Sequence, residues 1–463
     1  MARDFRLFVR RRALRAWGGL LAVATAFGVA FGPPIALGAD PSAPASTASH
    51  APAKPFPLRL EPGRRYLVDA AGRPFFIKAD AAWSLIAQLQ RPDLERYLAA
   101  RQRQGYNALL VELQEHKFSS HAPLNAYGVA PFLRPGDFTA PNDAYFEYAD
   151  EVIRRAAAHG MLVMLTPAYL GYDGGDEGWY RDLSRLTSPQ LREYGRYVAR
   201  RLGANPNLLW VHGGDYLPPN RIVLREVAEG IREVAGPGLH TFHGSRGHSA
   251  LGFLGPGEPW LNVNTIYSTE YDVIAKARAE YARSAMPFFL IEARYENEKG
   301  AGDEVVRRQA YQALLSGACG HTMGNKPVWD FSAGWQAALD SPGARSMQQF
   351  HRLLDALPWW TLAPDLDHRV LVAGAGSGAE AVAAADPAGA LALVYVPSPR
   401  AVTIDLRRLH GPQVDARWFD PVSGRERPVA GSPLSSDGLR VFSPDGANAG
   451  GAEDWVLVLR SVR

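Results

Sequence analysis

One unit recurs eight times between Phe75 and Leu357: a short apolar run, a polar tip, then an amphipathic stretch. The apolar runs are Phe75–Ile77, Asn107–Leu113, Met161–Leu165, Leu208–Val211, Leu239–Phe242, Leu261–Ile266, Pro287–Ile291 and Ala318–Met323. Between most of them lie helical patterns: Pro92–Gln104, Tyr145–His159, Pro189–Leu202, Arg221–Ala235, Ile274–Arg283 and Asp303–Leu315, with Phe350–Leu357 closing the series. Continuous apolar runs bounded by turn residues suit strands buried on both faces, which parallel sheets provide. The spacing therefore predicts an α/β chain, a (β/α)8 TIM barrel. A doubly wound open sheet is the rival, but it needs a glycine-rich dinucleotide turn after its first strand, and the sequence has none.

The texture changes after Thr361. Strand-like runs recur at Arg369–Ala373, Ala390–Val396, Ala401–Leu406, Val414–Phe419, Leu439–Phe442 and Trp455–Leu459, divided by Pro, Gly, Asp and Ser turns. They predict an antiparallel β-sandwich over residues 361–463. Leu58–Phe76, with its Asp69-Ala70-Ala71-Gly72 turn, predicts a β-hairpin leading into a barrel domain of residues 58–360. Residues 1–39 read as a signal peptide: Arg10-Arg11-Arg12 and Arg15, then apolar Trp17–Phe31, then small residues near Ala39. An uncleaved membrane anchor is the alternative. Residues 40–57, rich in Ala, Pro and Ser, read as a disordered linker. An exported chain in the periplasm or outside the cell is expected, free of the membrane once cleaved. Its one cysteine, Cys319, excludes an internal disulfide and a cysteine metal site. The formal charge of +3 gives no reason to expect nucleic acid as a partner. Nothing in the sequence fixes an oligomeric state.

In a barrel, the carboxyl ends of the strands converge on one pocket. The residues placed there are Asp80, Glu112, His116, Tyr169, His212, Asp215, His243, Tyr267, Glu292, Tyr295, Glu296 and Trp329. Asp215 follows Gly213-Gly214, a turn that presents it at the end of strand four; an Asp there can also simply cap the next helix. Glu292 ends Phe288-Phe289-Leu290-Ile291, a costly place for a charge unless it is used or paired, for example with Arg294 or Lys326. Two carboxyls on opposed strands can flank a sugar, one protonating the leaving oxygen and the other attacking C1 or activating water. The tyrosines and Trp329 suit the apolar faces of sugar rings. Glu296, beyond the strand, is the rival to Glu292 and is expected to contact substrate. His116 with His121, and His212 with Asp215, match no metallohydrolase spacing, so neither a metal nor another cofactor is expected. No Gly-x-Ser-x-Gly esterase elbow is present.

Trp210-Val211-His212-Gly213-Gly214-Asp215 together with Leu290-Ile291-Glu292-Ala293-Arg294-Tyr295-Glu296 resembles the apiosidase-like glycoside hydrolases, family 140. Phe75–Trp83 resembles that family's first strand, which adds Trp83 to the expected substrate contacts. Trp418-Phe419-Asp420-Pro421-Val422-Ser423-Gly424 is similar to the β-domain attached to that family, a type labelled collagen-binding. The resemblance runs from Leu58 to the end. It implies a retaining mechanism with Asp215 as acid/base and Glu292 as nucleophile, acting on an oligo- or polysaccharide; the family's characterised activity releases apiose from a pectin. The loops Gly171–Arg181 and Gly244–Trp260 are expected to shape specificity. Two other functions remain compatible with the sequence: a non-catalytic carbohydrate-binding barrel, and an adhesion protein acting through its β-domain.

Overall fold

The computed structural model describes residues 55–376 and 380–462. The segment read as an export signal, and most of the linker, lie outside the described residues. Three two-residue strands, Arg59–Leu60, Leu67–Val68 and Pro74–Phe75, form a small antiparallel sheet. The predicted hairpin is its second half: Asp69 Oδ1 accepts the N–H groups of Ala71 and Arg73 and so fixes the turn. The extra strand, two residues long, carries no periodicity by which to find it.

Eight parallel strands follow: β1 (Ile77–Ala81), β2 (Ala108–Glu112), β3 (Leu162–Thr166), β4 (Leu208–Gly213), β5 (His240–His243), β6 (Asn264–Tyr267), β7 (Phe288–Glu292) and β8 (Gly320–Met323). The ladder is continuous in the order β5-β4-β3-β2-β1-β8-β7-β6. Between β5 and β6 the closure is irregular: the Val263 N–H donates to the His240 carbonyl at 3.1 Å, and the Thr265 hydroxyl donates to the Phe242 carbonyl. Alternate residues face opposite ways. Ile77, Ala79, Leu110, Met164, Val211 and Ile291 fill the barrel's interior, whereas Leu109, Val163 and Trp210 pack under the helices. Burial on both faces is why the strands read as unbroken apolar runs.

The helices between are α1 (Arg91–Arg103), α2 (Asp143–Ala158), α3 (Ser188–Leu202), α4 (Ile222–Ala235), α5 (Ala250–Leu254), α6 (Val273–Arg283) and α7 (Asp303–Leu315), and α8 (Pro342–Asp355) closes the barrel. The apolar pattern from Phe350 marks only the second half of α8, which begins eight residues earlier. Ser341 caps the true start by accepting the Ala344 N–H, and Pro342 occupies the first turn, where it needs no donor. Among the described residues no helix is long and apolar enough to cross a membrane.

The C-terminal part forms two antiparallel sheets, of seven and three strands. The larger sheet lies on α7 and α8: Tyr311, Phe350 and Trp359 share an apolar cluster with Leu393, Tyr395, Phe419 and Val458. Trp359 lies in this seam, whereas its neighbour Trp360 is exposed. Within the seam Arg307, fully buried, donates two hydrogen bonds to Asp454, each 3.0 Å. Asp303, Tyr395 and Asn448 complete the network.

Candidate active site

A cavity of about 430 Å³ opens at the carboxyl ends of the barrel strands. Asp215 and Glu292 both line it. Asp215 follows β4 on a backbone turned to φ +48°, a left-handed conformation that is strained for an Asp. Two glycines make that turn possible. Gly213 and Gly214 have φ of +95° and +126°, and a Cβ on Gly214 would lie 2.1 Å from the Tyr169 ring. The Tyr169 hydroxyl donates to Asp215 Oδ2 at 2.7 Å, while Oδ1 is buried with no partner. Burial, and then the charge of Glu292, push the Asp215 carboxyl up to about 6.

Glu292 reaches the cavity by a bulge. Strict alternation would point it outward, because Ile291 before it faces the barrel axis. The β7–β6 register shifts between Leu290 and Glu292, so two residues of β7 oppose one of β6. The extra residue turns Glu292 inward. Glu292 Oε2 and His243 Nε2 are 2.7 Å apart. The Asp215 N–H donates to Nδ1 of the same ring at 3.2 Å. That donor needs a lone pair on Nδ1, so the ring proton sits on Nε2 and His243 donates to Glu292. One histidine thus holds the backbone of Asp215 and the carboxylate of Glu292 together. The alternative of a structural ion pair with Arg294 or Lys326 is not met: Arg294 pairs with Glu270, and Lys326 with Asp330.

One oxygen of Asp215, one nitrogen of His243 and one oxygen of Glu292 lie within 4.8 Å of one another, a spacing that could also enclose a cation. The hydrogen bonds argue against it. With Nδ1 accepting and Nε2 donating, the imidazole has no lone pair left for a metal.

Aromatic side chains form much of the wall: Trp83, Phe118, Tyr169, Tyr267, Tyr295 and Trp329. The Trp83 indole donates to the Tyr295 hydroxyl at 2.9 Å, so that hydroxyl's own proton is free to turn elsewhere. Glu112 lines the wall at the end of β2. At the rim stand Tyr172, Glu177, Arg246, Glu298 and Lys299, none singled out from the sequence. Tyr172, Glu177 and Arg246 come from the two loops expected to shape specificity. Which loop residue turns inward has no periodic signal.

Five expected substrate contacts do not line the cavity; one of them, His243, is fully buried against Glu292, and the other four lie elsewhere. Asp80 falls within β1, not beyond it, because the strand runs to Ala81. Its side chain points out to α1, where Arg101 Nε donates to it at 2.7 Å and both are fully buried. His212 follows Trp210 on the outer face of β4, where it pairs with His240 at 3.0 Å and packs on Trp260. Burial pushes His212 down to about 3, so that pair is neutral. His116 packs edge-on against Trp179 and does not line the cavity. Glu296 accepts the Gly343 N–H at 2.7 Å and the Ser341 hydroxyl at 2.6 Å, a carboxylate spent on the N-terminus of α8.

A family described as "Apiosidase-like, catalytic domain" matches residues 61–361. The chain belongs to the apiosidase-like family. A second family, described as "Putative collagen-binding domain of a collagenase", matches residues 364–460. As an apiosidase-like protein the chain is a glycoside hydrolase. No curated protein matches it. Among solved structures, a glycoside hydrolase family 5 protein from Bacteroides vulgatus ATCC 8482 is similar with TM-score 0.76 and 23% identity, covering 87% of this chain and 92% of its own. Another, described as a glycoside hydrolase, gives TM-score 0.76 and 23% identity over 88% and 97%. At that identity these two structures speak for the architecture alone.

Proposed function

We propose that this protein is an exported, retaining glycosidase that cleaves a glycosidic bond in the side chains of a plant or bacterial polysaccharide. Asp215 is the acid/base and Glu292 the nucleophile. The separation of the two carboxyls carries this reading: their closest oxygens are within 4.8 Å. Direct attack on C1 works with carboxyls about 5–5.5 Å apart, whereas a water held between them needs about 6.5–9.5 Å.

In this reading Asp215 starts protonated, which its raised pKa favours near pH 6. It gives its proton to the glycosidic oxygen as Glu292 attacks C1 and the C1–O bond breaks. A covalent glycosyl–enzyme results. Asp215, now ionised, takes a proton from the water that attacks C1, and Glu292 leaves as the carboxylate. His243 holds Glu292 Oε2, which leaves Oε1 for the attack. Tyr169 holds Asp215 Oδ2 and keeps the free oxygen aimed.

The test is stereochemical. Nitrophenyl furanosides and pyranosides, with plant and bacterial polysaccharides, serve to find a cleaved substrate. Proton NMR then reads the anomer of the first product. Net retention is expected, and an inverted product rejects the double displacement. Export is tested separately: mass spectrometry of the mature protein should find its N-terminus near residue 40, and an intact Met1 in the membrane fraction rejects cleavage.

A further inference from the structure

Glu112 takes no part in the chemistry proposed above, yet it stands in the cavity wall at the carboxyl end of β2. It approaches the mouth from a third direction, away from the strands that carry Asp215 and Glu292. Its side chain is 2% exposed, and Oε2 is buried with no hydrogen-bond partner. A buried carboxyl oxygen left without a donor is rare in folded proteins and calls for a reason.

The surroundings limit what that reason can be. The charged groups acting on Glu112 are Glu115 and Asp215, both acids. Among the described residues no cation pairs with it. Glu115 is itself buried; the Ser84 hydroxyl donates to it at 2.6 Å, and its other oxygen is unpartnered. The Tyr169 hydroxyl in the same wall already gives its proton to Asp215. Thr166, opposite Glu112 in the β2–β3 register, has a hydroxyl oxygen equally without a partner. Burial and the two neighbouring acids push the Glu112 carboxyl well above the usual carboxylate range. A carboxyl that keeps its proton has one O–H to donate and an oxygen to accept with. An alcohol offers the matching pair.

We propose that Glu112 grips a hydroxyl of the bound sugar, donating one hydrogen bond and accepting another, and so selects the hydroxyl configuration the cavity admits. The proposal rests on the glycosidase reading for the class of ligand. Glu112 is a specificity-determining residue in this account, since it neither transfers a proton nor attacks carbon. A sugar epimer that turns the matching hydroxyl away leaves both Glu112 oxygens unpaired, and that penalty is what discriminates.

The test uses the whole protein and a panel of free pentoses and hexoses, with binding read by ligand-observed NMR titration. Glu112→Ala is expected to weaken the best sugar about tenfold or more and to narrow its preference over its epimer. Glu112→Gln keeps a donor and an acceptor in the same shape, and should weaken binding no more than about threefold. Difference infrared spectra at neutral pH should contain the carbonyl stretch of a protonated carboxylic acid that Glu112→Gln removes and that the bound sugar shifts. If Glu112→Gln is as damaging as Glu112→Ala, an ionised group is needed and the proposal falls. It falls too if Glu112→Ala keeps the parent's affinity and epimer preference, or if the parent binds none of the sugars. The glycosidase reading is tested by cleavage: a protein that binds sugars through Glu112 but cleaves no glycoside refutes that reading and leaves this one standing.

Discussion

Two of the places where this molecule buries charge do so in opposite ways. In the seam between barrel and β-domain, Arg307 meets Asp454 through two hydrogen bonds, and Tyr395 and Asn448 take up what Asp454 has left. At the barrel mouth the carboxyls of Glu112 and Asp215 each keep a buried oxygen with no partner, and a strained backbone holds Asp215 in place. Neither region is more polar than the other in any simple sense. The difference is completeness. A satisfied network has nothing to offer a ligand and serves the fold. An unsatisfied one costs stability, and where it faces a cavity, as Glu112 and Asp215 do, a ligand can supply the missing partner.

The contrast can be broken most directly at Glu292. Glu292→Gln should lower kcat by about a thousandfold or more, with the melting temperature unchanged. Full activity in that variant would remove the mouth's claim to chemistry. At the seam, Asp454→Asn removes one of the two carboxylates that balance Arg307, leaving Asp303 alone to do so, and should cost about 1–3 kcal/mol in denaturant unfolding, while kcat of the folded protein stays as it was. Gly214→Ala tests the turn: its methyl group would have to displace the Tyr169 ring, and kcat/KM should drop about a hundredfold.

Asp215→Asn sharpens the comparison because its sign is reversed. The folded-state pKa of Asp215 is raised, so at neutral pH the ionised form is held against its preference and weakens the fold. Removing that charge should stabilise the protein by about 1–3 kcal/mol while abolishing turnover. If Asp215→Asn and Asp454→Asn shift stability in the same direction, the two regions do not differ as argued. The smallest effect is in the pH profile. The acid must carry its proton to act, so kcat/KM should decline as pH rises through about 6, and a flat profile up to pH 8 would remove Asp215 from that role.

Much of this was legible in the sequence, for a reason that also explains the failures. Strands buried on both faces announce themselves as apolar runs, so the barrel could be counted. Which way a residue in such a run points is a matter of parity, and a shift of one residue reverses it. Asp80 points outward because its strand runs on to Ala81, with Ile77, Ala79 and Ala81 facing the axis. His212 points outward because it shares the outer face of β4 with Trp210. Glu292 reaches the cavity only because a bulge breaks the alternation, and nothing in Phe288-Phe289-Leu290-Ile291 announces a bulge. His243 stood among the expected contacts, but that it joins Asp215 to Glu292 depends on two strands meeting in space.

The Arg307–Asp454 pair also has a consequence in time. The two residues are 147 positions apart, and Asp454 sits at the threshold of Trp455–Val462, the last strand of the chain's described part. On the ribosome Arg307 emerges long before its partner exists. Until that final strand threads into the middle of its sheet, α7 carries a guanidinium meant for an interior. Barrel and β-domain therefore share one interior surface, and a barrel cut free of its tail would turn that surface to water.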